Sequence, residues 1–379
     1  MVMKNKKILF LTGTRADYGK IKPLLKALET DDRFDLFIYV AGMHLQHKFG
    51  STFNEVLKDG YKNIYVAFGL THTNNMATNL GNVVSNFSGY VENLKPDLIV
   101  VHGDRIEALA GATVGALNNI IVGHIEGGEV SGTIDESIRH AVSKLSHIHF
   151  VSNTEAKRRL IQLGENANNI YVIGSPDIDV MLSDDLPNIN FVKNHYGIDY
   201  DRYGIMMYHP VTTEYHVMAR KAMIVLDSAI KSGKNFIVIY PNNDMGSEFI
   251  LNEYNRIKDN YRFKVFPSIR FEYFLTLLKN AEFMYGNSSA GIRETAIYGI
   301  PTIDIGNRQS GRYDKSILKN IHHVQESEAD LLSAIASIEE YRYSSNVWGN
   351  GNSTNLFMNV LSNDDFWDIN IQKKFVDLR

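Results

Sequence analysis

Cysteine is absent from the 379-residue chain. That absence excludes disulfides and thiolate metal sites, and it fits a reducing compartment. No stretch approaches the roughly 18 apolar residues that a membrane span requires. Blocks of Lys or Arg are missing as well, and the formal net charge is −4, so no nucleic acid partner is expected. Proline is scarce, at 8 residues, and no segment has the composition of a disordered tail. The opening "MVMKNKKILFLTGTR" has a basic lead, but its apolar run from Ile8 to Leu11 is too short for a signal peptide. A cytoplasmic protein that does not engage a membrane is expected.

What is present is apolar material, 44% of the residues, enough for two cores in a chain of this length. Short β-branched runs alternate with helix-period segments. Strands are expected at 7–12, 35–40, 97–102, 120–125, 147–151 and 170–173, then at 204–208, 235–240, 262–266, 282–285 and 302–305. Helical segments such as 21–29, 156–163 and 271–279 lie between them. Strands apolar on both faces and separated by helices indicate parallel sheets covered on both sides. The alternation runs twice, breaking at "IGSPDIDVM", where Pro176 can start a short helix. The expected fold is α/β, with two doubly wound Rossmann-like domains facing across a cleft. They span 1–173 and 174–360, and a tail, 361–379, packs back on the first. In such sheets ligands sit beyond the carboxyl ends of the strands.

The residues just after the strands are therefore the place to seek chemistry. In "TGTRADYGK", Arg15 stands where a dinucleotide-binding turn requires its second glycine, which favours a charged contact with an anion over a nicotinamide cofactor. In "IVVHGDRIEALAG", Gly103 allows a bend, Asp104 can cap the next helix, and His102 and Arg105 stand beside it. In "IIVGHIEGGEVSGTIDESIRH", His124 and Glu126 alternate onto one strand face before Gly127 and Gly128. Glu136 and Arg139 follow, three apart on a helix, where they can pair. A carboxylate such as Glu126 behind four apolar residues needs a partner or a raised pKa.

In the second half, "YHPVTTE" places His209 at a strand end with two threonines able to cap, and "YPNND" places Asn242 at the next. Arg270 opens a helix whose Phe271, Phe274, Leu275 and Leu278 pack inward. "YGNSSAGIRETAIYG" reads as strand, small residues, then helix, a ready anion site with Ser288 and Ser289 as caps or donors and Glu294 one turn on. Arg308 and Arg312 follow another strand. His147 and His149 share a strand face without a metal-binding spacing, so no metal is expected.

Taken in order from about residue 7 to 312, "GTRADYGK", "HGDRIEALAG", "HIEGGEVSGTIDESIRHAVSKLSHIH", "GSPDIDVM", "HPVTTE", "YPNND", "PSIRFEYF", "GNSSAGIRE" and "GNRQSGR" resemble the UDP-N-acetylglucosamine 2-epimerase family, in its hydrolysing, sialic acid branch. The resemblance implies a glycosyltransferase-B-like fold, no cofactor, and a homo-oligomer, dimer or tetramer. It also implies conversion of UDP-N-acetylglucosamine and water to N-acetylmannosamine and UDP, through elimination to a glucal and hydration. It places the catalytic acids on Asp104, Glu126 and Glu136 and an essential histidine on His209. Substrate contacts fall on Arg15, Asn242, Arg270, Ser288, Ser289, Glu294 and Arg308, with Lys20, His102, Arg105, Phe271 and Gly291 beside them. The non-hydrolysing branch reads Pro-Glu after its G-T-R, whereas Ala16 and Asp17 follow here, and "GMHLQHKFG" does not match that branch's allosteric segment. The rival readings are the same chemistry on UDP-2,4-diacetamido-2,4,6-trideoxyglucose, for legionaminic acid synthesis, and a UDP-sugar glycosyltransferase.

Overall fold

The computed structural model describes residues 5–73, 75–130 and 134–377. They divide into two compact units, one comprising Met1–Glu129, Asp135–Ser183 and Trp348–Arg379, the other Val130–Ile134 and Asp184–Val347.

The first unit carries seven strands: β1 (Lys6–Thr12), β2 (Phe34–Val40), β3 (Ile64–Val66), β4 (Leu98–His102), β5 (Ile121–Ile125), β6 (Ile148–Val151) and β7 (Ile170–Val172). Every ladder is parallel, in the order β3-β2-β1-β4-β5-β6-β7. The strand period of two explains why a continuous apolar run is needed. Ile8 and Phe10 of β1 enter one core, with Leu24, Leu25 and Phe150, while Leu9 and Leu11 enter the other, with Phe87 and Val114. Both faces of the sheet are thus buried under helices.

The second unit carries β8 (Gly204–Met207), β9 (Phe236–Ile239), β10 (Phe263–Phe266), β11 (Phe283–Gly286), β12 (Thr302–Ile305) and β13 (Ile321–Val324). They form a parallel sheet ordered β10-β9-β8-β11-β12-β13.

The expected domain boundaries move. The first unit runs on to Ser183 rather than ending at 173, because Asp177 of the Pro176–Met181 helix forms a buried ion pair with Lys20, 3.0 Å away. Pro176 does occupy the first turn of that helix. The chain rejoins the first unit at Trp348 rather than 361, because the Ser353–Leu361 helix inserts Phe357 beside Phe10 and Phe150. Burying a ring of that size contributes roughly 1.5–3 kcal/mol. Among the described residues, no helix is long and apolar enough to cross a membrane.

Each sheet order has one reversal. From β1 the chain first builds outward to β2 and β3, then returns to place β4 on the other side. From β8 it builds to β9 and β10, then returns to β11. Two crevices are therefore defined, one beyond the ends of β1 and β4, the other beyond β8 and β11.

Candidate active site

At the first crevice, β1 ends in a turn built on Asp17. Its carboxylate accepts from Thr12 Oγ1 at 2.6 Å and from the N–H groups of Gly13 and Thr14 at 3.0 Å, while Thr14 Oγ1 accepts from Asp17 N–H at 3.1 Å. This capping box accounts for Asp17 structurally. His44 buttresses it, with Nε2 3.0 Å from Thr12 Oγ1 and Nδ1 2.7 Å from Thr52 Oγ1. Burial pushes His44 down to about 4, so it is neutral at pH 7. Arg15, the first residue of the Arg15–Glu29 helix, forms an ion pair with Glu55.

Across the crevice, β4 ends at His102, and Gly103 turns with φ +74°. Arg105, not Asp104, occupies the N-cap of the Ile106–Leu117 helix, and it makes no side-chain cap bond. Asp104 instead meets the guanidinium of Arg139. The expected cap is displaced because a charge-assisted bond to a cation that is only 2% exposed is stronger than a cap to a neutral N–H. Glu107 is 4% exposed, and a Cβ on Gly13 would come within 2.7 Å of its carboxyl carbon. Gly13 is glycine because Glu107 fills that space.

His124 of β5 is fully buried, with Nε2 2.8 Å from the Gly103 carbonyl and Nδ1 3.1 Å from Ser143 Oγ. Burial pushes it down to about 3, and the carbonyl acceptor places its proton on Nε2. The alternation expected from His124 to Glu126 does not continue, because Glu126 lies one residue past β5 with φ +63°. A non-glycine residue there costs of order 1–3 kcal/mol and points to function. Its carboxylate faces Ser175 and His102. Oε1 accepts from Ser175 Oγ, and Oε2 lies 3.4 Å from His102 Nε2. The Glu126 carbonyl accepts from Arg139. Asp104 and Glu126 are thus joined through one buried guanidinium. Glu136 meets His140 Nε2 at 3.2 Å, one turn along the Ile134–Leu145 helix. The neighbouring Asp135 is the more buried acid.

In the second crevice, His209 and Asn287 lock the ends of β8 and β11 together. The Asn287 amide accepts from His209 N–H at 2.7 Å and donates to His209 O at 2.9 Å, and Asn287 N–H donates to Met207 O at 3.1 Å. The Asn287 carbonyl accepts from Arg308 Nη1 at 3.2 Å and from Gln309 Nε2 at 2.7 Å. His209 Nδ1 accepts from Asn242 N–H at 3.0 Å, which leaves its proton on Nε2. Ser288 caps the turn Ser289–Gly291, accepting from Ala290 N–H at 3.3 Å. The expected helix here is shorter than the sequence suggests: a 3-10 turn followed by Glu294–Tyr298, which Gly299 closes at φ +67°. Individual N–H and hydroxyl groups, rather than a full helix dipole, are what this turn offers an anion. The threonines of "YHPVTTE" open a 3-10 turn without a side-chain cap.

Arg270 sits at the N-cap of the Phe271–Lys279 helix, 3.1 Å from Glu272 and over the Tyr273 ring, while Phe271 is buried. Among the described residues, no group of three or more His, Cys, Asp or Glu is placed to hold a metal.

Two parallel, doubly wound units, each with a polar crevice at the reversal of its strand order, define a protein of the α/β class. The pattern of the UDP-N-acetylglucosamine 2-epimerase family matches residues 26–362, and the chain belongs to that family. It is 46% identical over 375 residues to the UDP-N-acetylglucosamine 2-epimerase of Neisseria meningitidis serogroup B, covering 98% of this chain and 99% of that one. It is 33% identical over 353 residues to the UDP-N,N'-diacetylbacillosamine 2-epimerase (hydrolyzing) of Legionella pneumophila, covering 92% and 93%. The fold matches that of Methanocaldococcus jannaschii UDP-GlcNAc 2-epimerase, solved with UDP-GlcNAc and UDP, at a TM-score of 0.79 and 22% identity over 94% of this chain and 99% of that one.

Proposed function

We propose that the protein is a hydrolysing UDP-N-acetylglucosamine 2-epimerase. The observation that carries this reading is the joining of Asp104 and Glu126 through Arg139 at the strand ends of a chain from this family. Two fixed carboxylates suit a reaction that removes one proton and later delivers another.

The base takes the proton from sugar C2 as the C1–O bond to UDP breaks, and the electron pair forms C1=C2. Water then adds its oxygen to C1 and a proton to the opposite face of C2, giving N-acetylmannosamine and UDP. The departing diphosphate gains charge, and stabilising that charge lowers the barrier. Arg15, Arg270, Arg308, Ser288 and Ser289 are proposed to hold it. Asp104, Glu126, Glu136 and His209 share the proton transfers, and Asp135, for its burial, joins the candidates. The Glu126 carboxylate is arranged for the task, since Ser175 Oγ donates to one oxygen and His102 Nε2 lies 3.4 Å from the other.

The 33% identity to the Legionella enzyme favours a second reading, the same steps on a 2,4-diacetamido sugar. The higher identity to the Neisseria protein favours UDP-N-acetylglucosamine. Turnover of both substrates in D2O, followed by NMR, tests the proposal. Free N-acetylmannosamine carrying deuterium at C2 is expected. Formation of UDP-N-acetylmannosamine would exclude the hydrolysing branch, unlabelled free sugar would exclude elimination, and faster release of UDP from the diacetamido sugar would reassign the substrate.

A further inference from the structure

We infer that Arg139 is the positioning residue of the first crevice, setting the distance between Asp104 and Glu126 without touching substrate. The inference rests on the acid roles proposed above.

The Arg139 side chain is 2% exposed. One nitrogen of its fork meets the Asp104 carboxylate, and another donates to the backbone carbonyl of Glu126. A guanidinium suits this because its donors are coplanar and fixed in direction, whereas an ammonium is a point charge on a flexible stem. The second bond matters as much as the first. Glu126 is held at φ +63°, a conformation that an L-residue keeps only when its surroundings impose it. The bond to its carbonyl, with the Ser175 hydroxyl on its carboxylate, supplies that constraint. Arg139 itself is set by the Ile134–Leu145 helix, whose Ser143 also contacts His124, so the helix, β4 and β5 meet at one point. The sequence spacing pointed to a surface pair with Glu136, and the structure assigns Arg139 to the interior.

Arg139→Lys keeps the charge and loses the fork, and Arg139→Gln keeps an amide donor and loses the charge. In both, kcat for UDP release is expected to fall about 10²-fold, the loss typical of a misplacement near 1 Å. KM should stay within about threefold, UDP affinity by calorimetry should be unchanged, and Lys should retain more activity than Gln. Asp104→Glu, which leaves the cation in place and displaces the carboxylate by one methylene, should lose kcat comparably and guards against an Arg139 variant that does not fold.

The proposal is overturned if folded Arg139 variants keep wild-type kcat, if their loss lies in KM, or if Asp104→Glu is fully active. Asp104→Asn and Glu126→Gln, measured alongside, separate the two readings. If these are inactive while Arg139→Lys is normal, only the positioning role fails. If both remain active, the acid roles fail, and the positioning role with them.

Discussion

The two switch crevices share a topology and differ in chemistry. The first is ionic: Asp104, Arg139, Glu126 and His102 form one chain of contacts, with Arg15 and Glu55 paired nearby. The second is held mainly by the Asn287 amide, the His209 backbone and ring and the Ser288 hydroxyl, with the Arg308 guanidinium donating to the Asn287 carbonyl. A fold that places a crevice at the reversal of strand order leaves its contents to the few residues after each strand. Acids concentrated in one unit suit proton transfer, while neutral donors beside Arg308 suit a diphosphate that must bind and then leave.

The sharpest way to break this contrast is to neutralise each acid. Asp104→Asn or Glu126→Gln is expected to cut UDP release about 10³-fold, within the range for loss of a general acid or base. UDP affinity, proposed to rest mainly on second-unit residues, should stay within about twofold. Calorimetry showing a large loss of UDP binding would mean that the acids serve affinity instead.

Acid should also divide the units. His44 and His124, both in the first, are held near 4 and 3 by burial, against about 6.5 in an unfolded chain. Below pH 6.5 the unfolded chain takes up protons that these folded sites refuse. Stability therefore falls, by about 1.4 kcal/mol per histidine for each pH unit, until the folded values are reached. Glu165, also in the first unit, acts in the same direction at lower pH. Burial pushes it up, but hydrogen bonds from His149, Lys144 and Lys373 outweigh that and hold it down at about 2. Both tryptophans, Trp348 and Trp367, lie in the first unit. Urea melts followed by tryptophan fluorescence should lose midpoint steeply between pH 6.5 and 4.5. A flat midpoint over that range would show that the buried histidines are protonated in the folded state.

A smaller effect is expected from Asn287→Ala, which removes two bonds to His209 and leaves a buried N–H and a buried carbonyl unmatched. The cost is about 2–4 kcal/mol, at roughly 1–2 per lost partner. It should fall on the second unit, read by hydrogen exchange around His209, with weaker UDP binding. Unchanged exchange there would show that β8 and β11 are joined by their ladder alone.

How far these features could be read beforehand follows from what each depends on. All eleven expected strands are present to within one or two residues; nine are interior strands, whose burial on both faces requires an apolar run, and β7 and β10 are edge strands. The two that escaped, β3 and β13, are edge strands: His322 and His323 interrupt the apolar run of β13, whereas β3 is the same Ile-Tyr-Val as the expected edge strand β7, and its sequence gives no reason for the miss. Asp104, Glu126, His209 and Ser288 were legible as polar residues directly after strands. Arg139, Ser175 and Asn287 carry the geometry of the crevices, yet nothing local marks their partners. Arg139 meets Asp104 across 35 positions, Ser175 meets Glu126 across 49, and Asn287 meets His209 across 78. Such pairings are made by the fold, and periodicity within one helix or strand carries no trace of them.

The carboxyl-terminal segment gives the smallest expected effect and a test of how the first unit stays ionic. Lys373 donates to the carbonyls of Ser143, Lys144 and Ser146, at the end of the Ile134–Leu145 helix, and to Glu165 at 2.6 Å. A cation there adds to the Ser146 N–H already on the Ser143 carbonyl, satisfies those of Lys144 and Ser146, and opposes the negative end of the helix dipole. Phe375 lies against Gly164, where a Cβ would come within 2.7 Å of the ring. Lys373→Met keeps the apolar stem and removes the donors, and it should cost about 1–2 kcal/mol, partly offset because Lys144 still pairs with Glu165 at 2.8 Å. The same helix carries Arg139 more than a turn from this end, so the loosening should fade before reaching it. Amide exchange should quicken at 143–146 and stay unchanged at 138–140, with kcat preserved. Loss of kcat in a folded Lys373→Met protein would instead show that the helix moves as one rigid body, and that the acids of the first crevice are steadied from the far end of the chain.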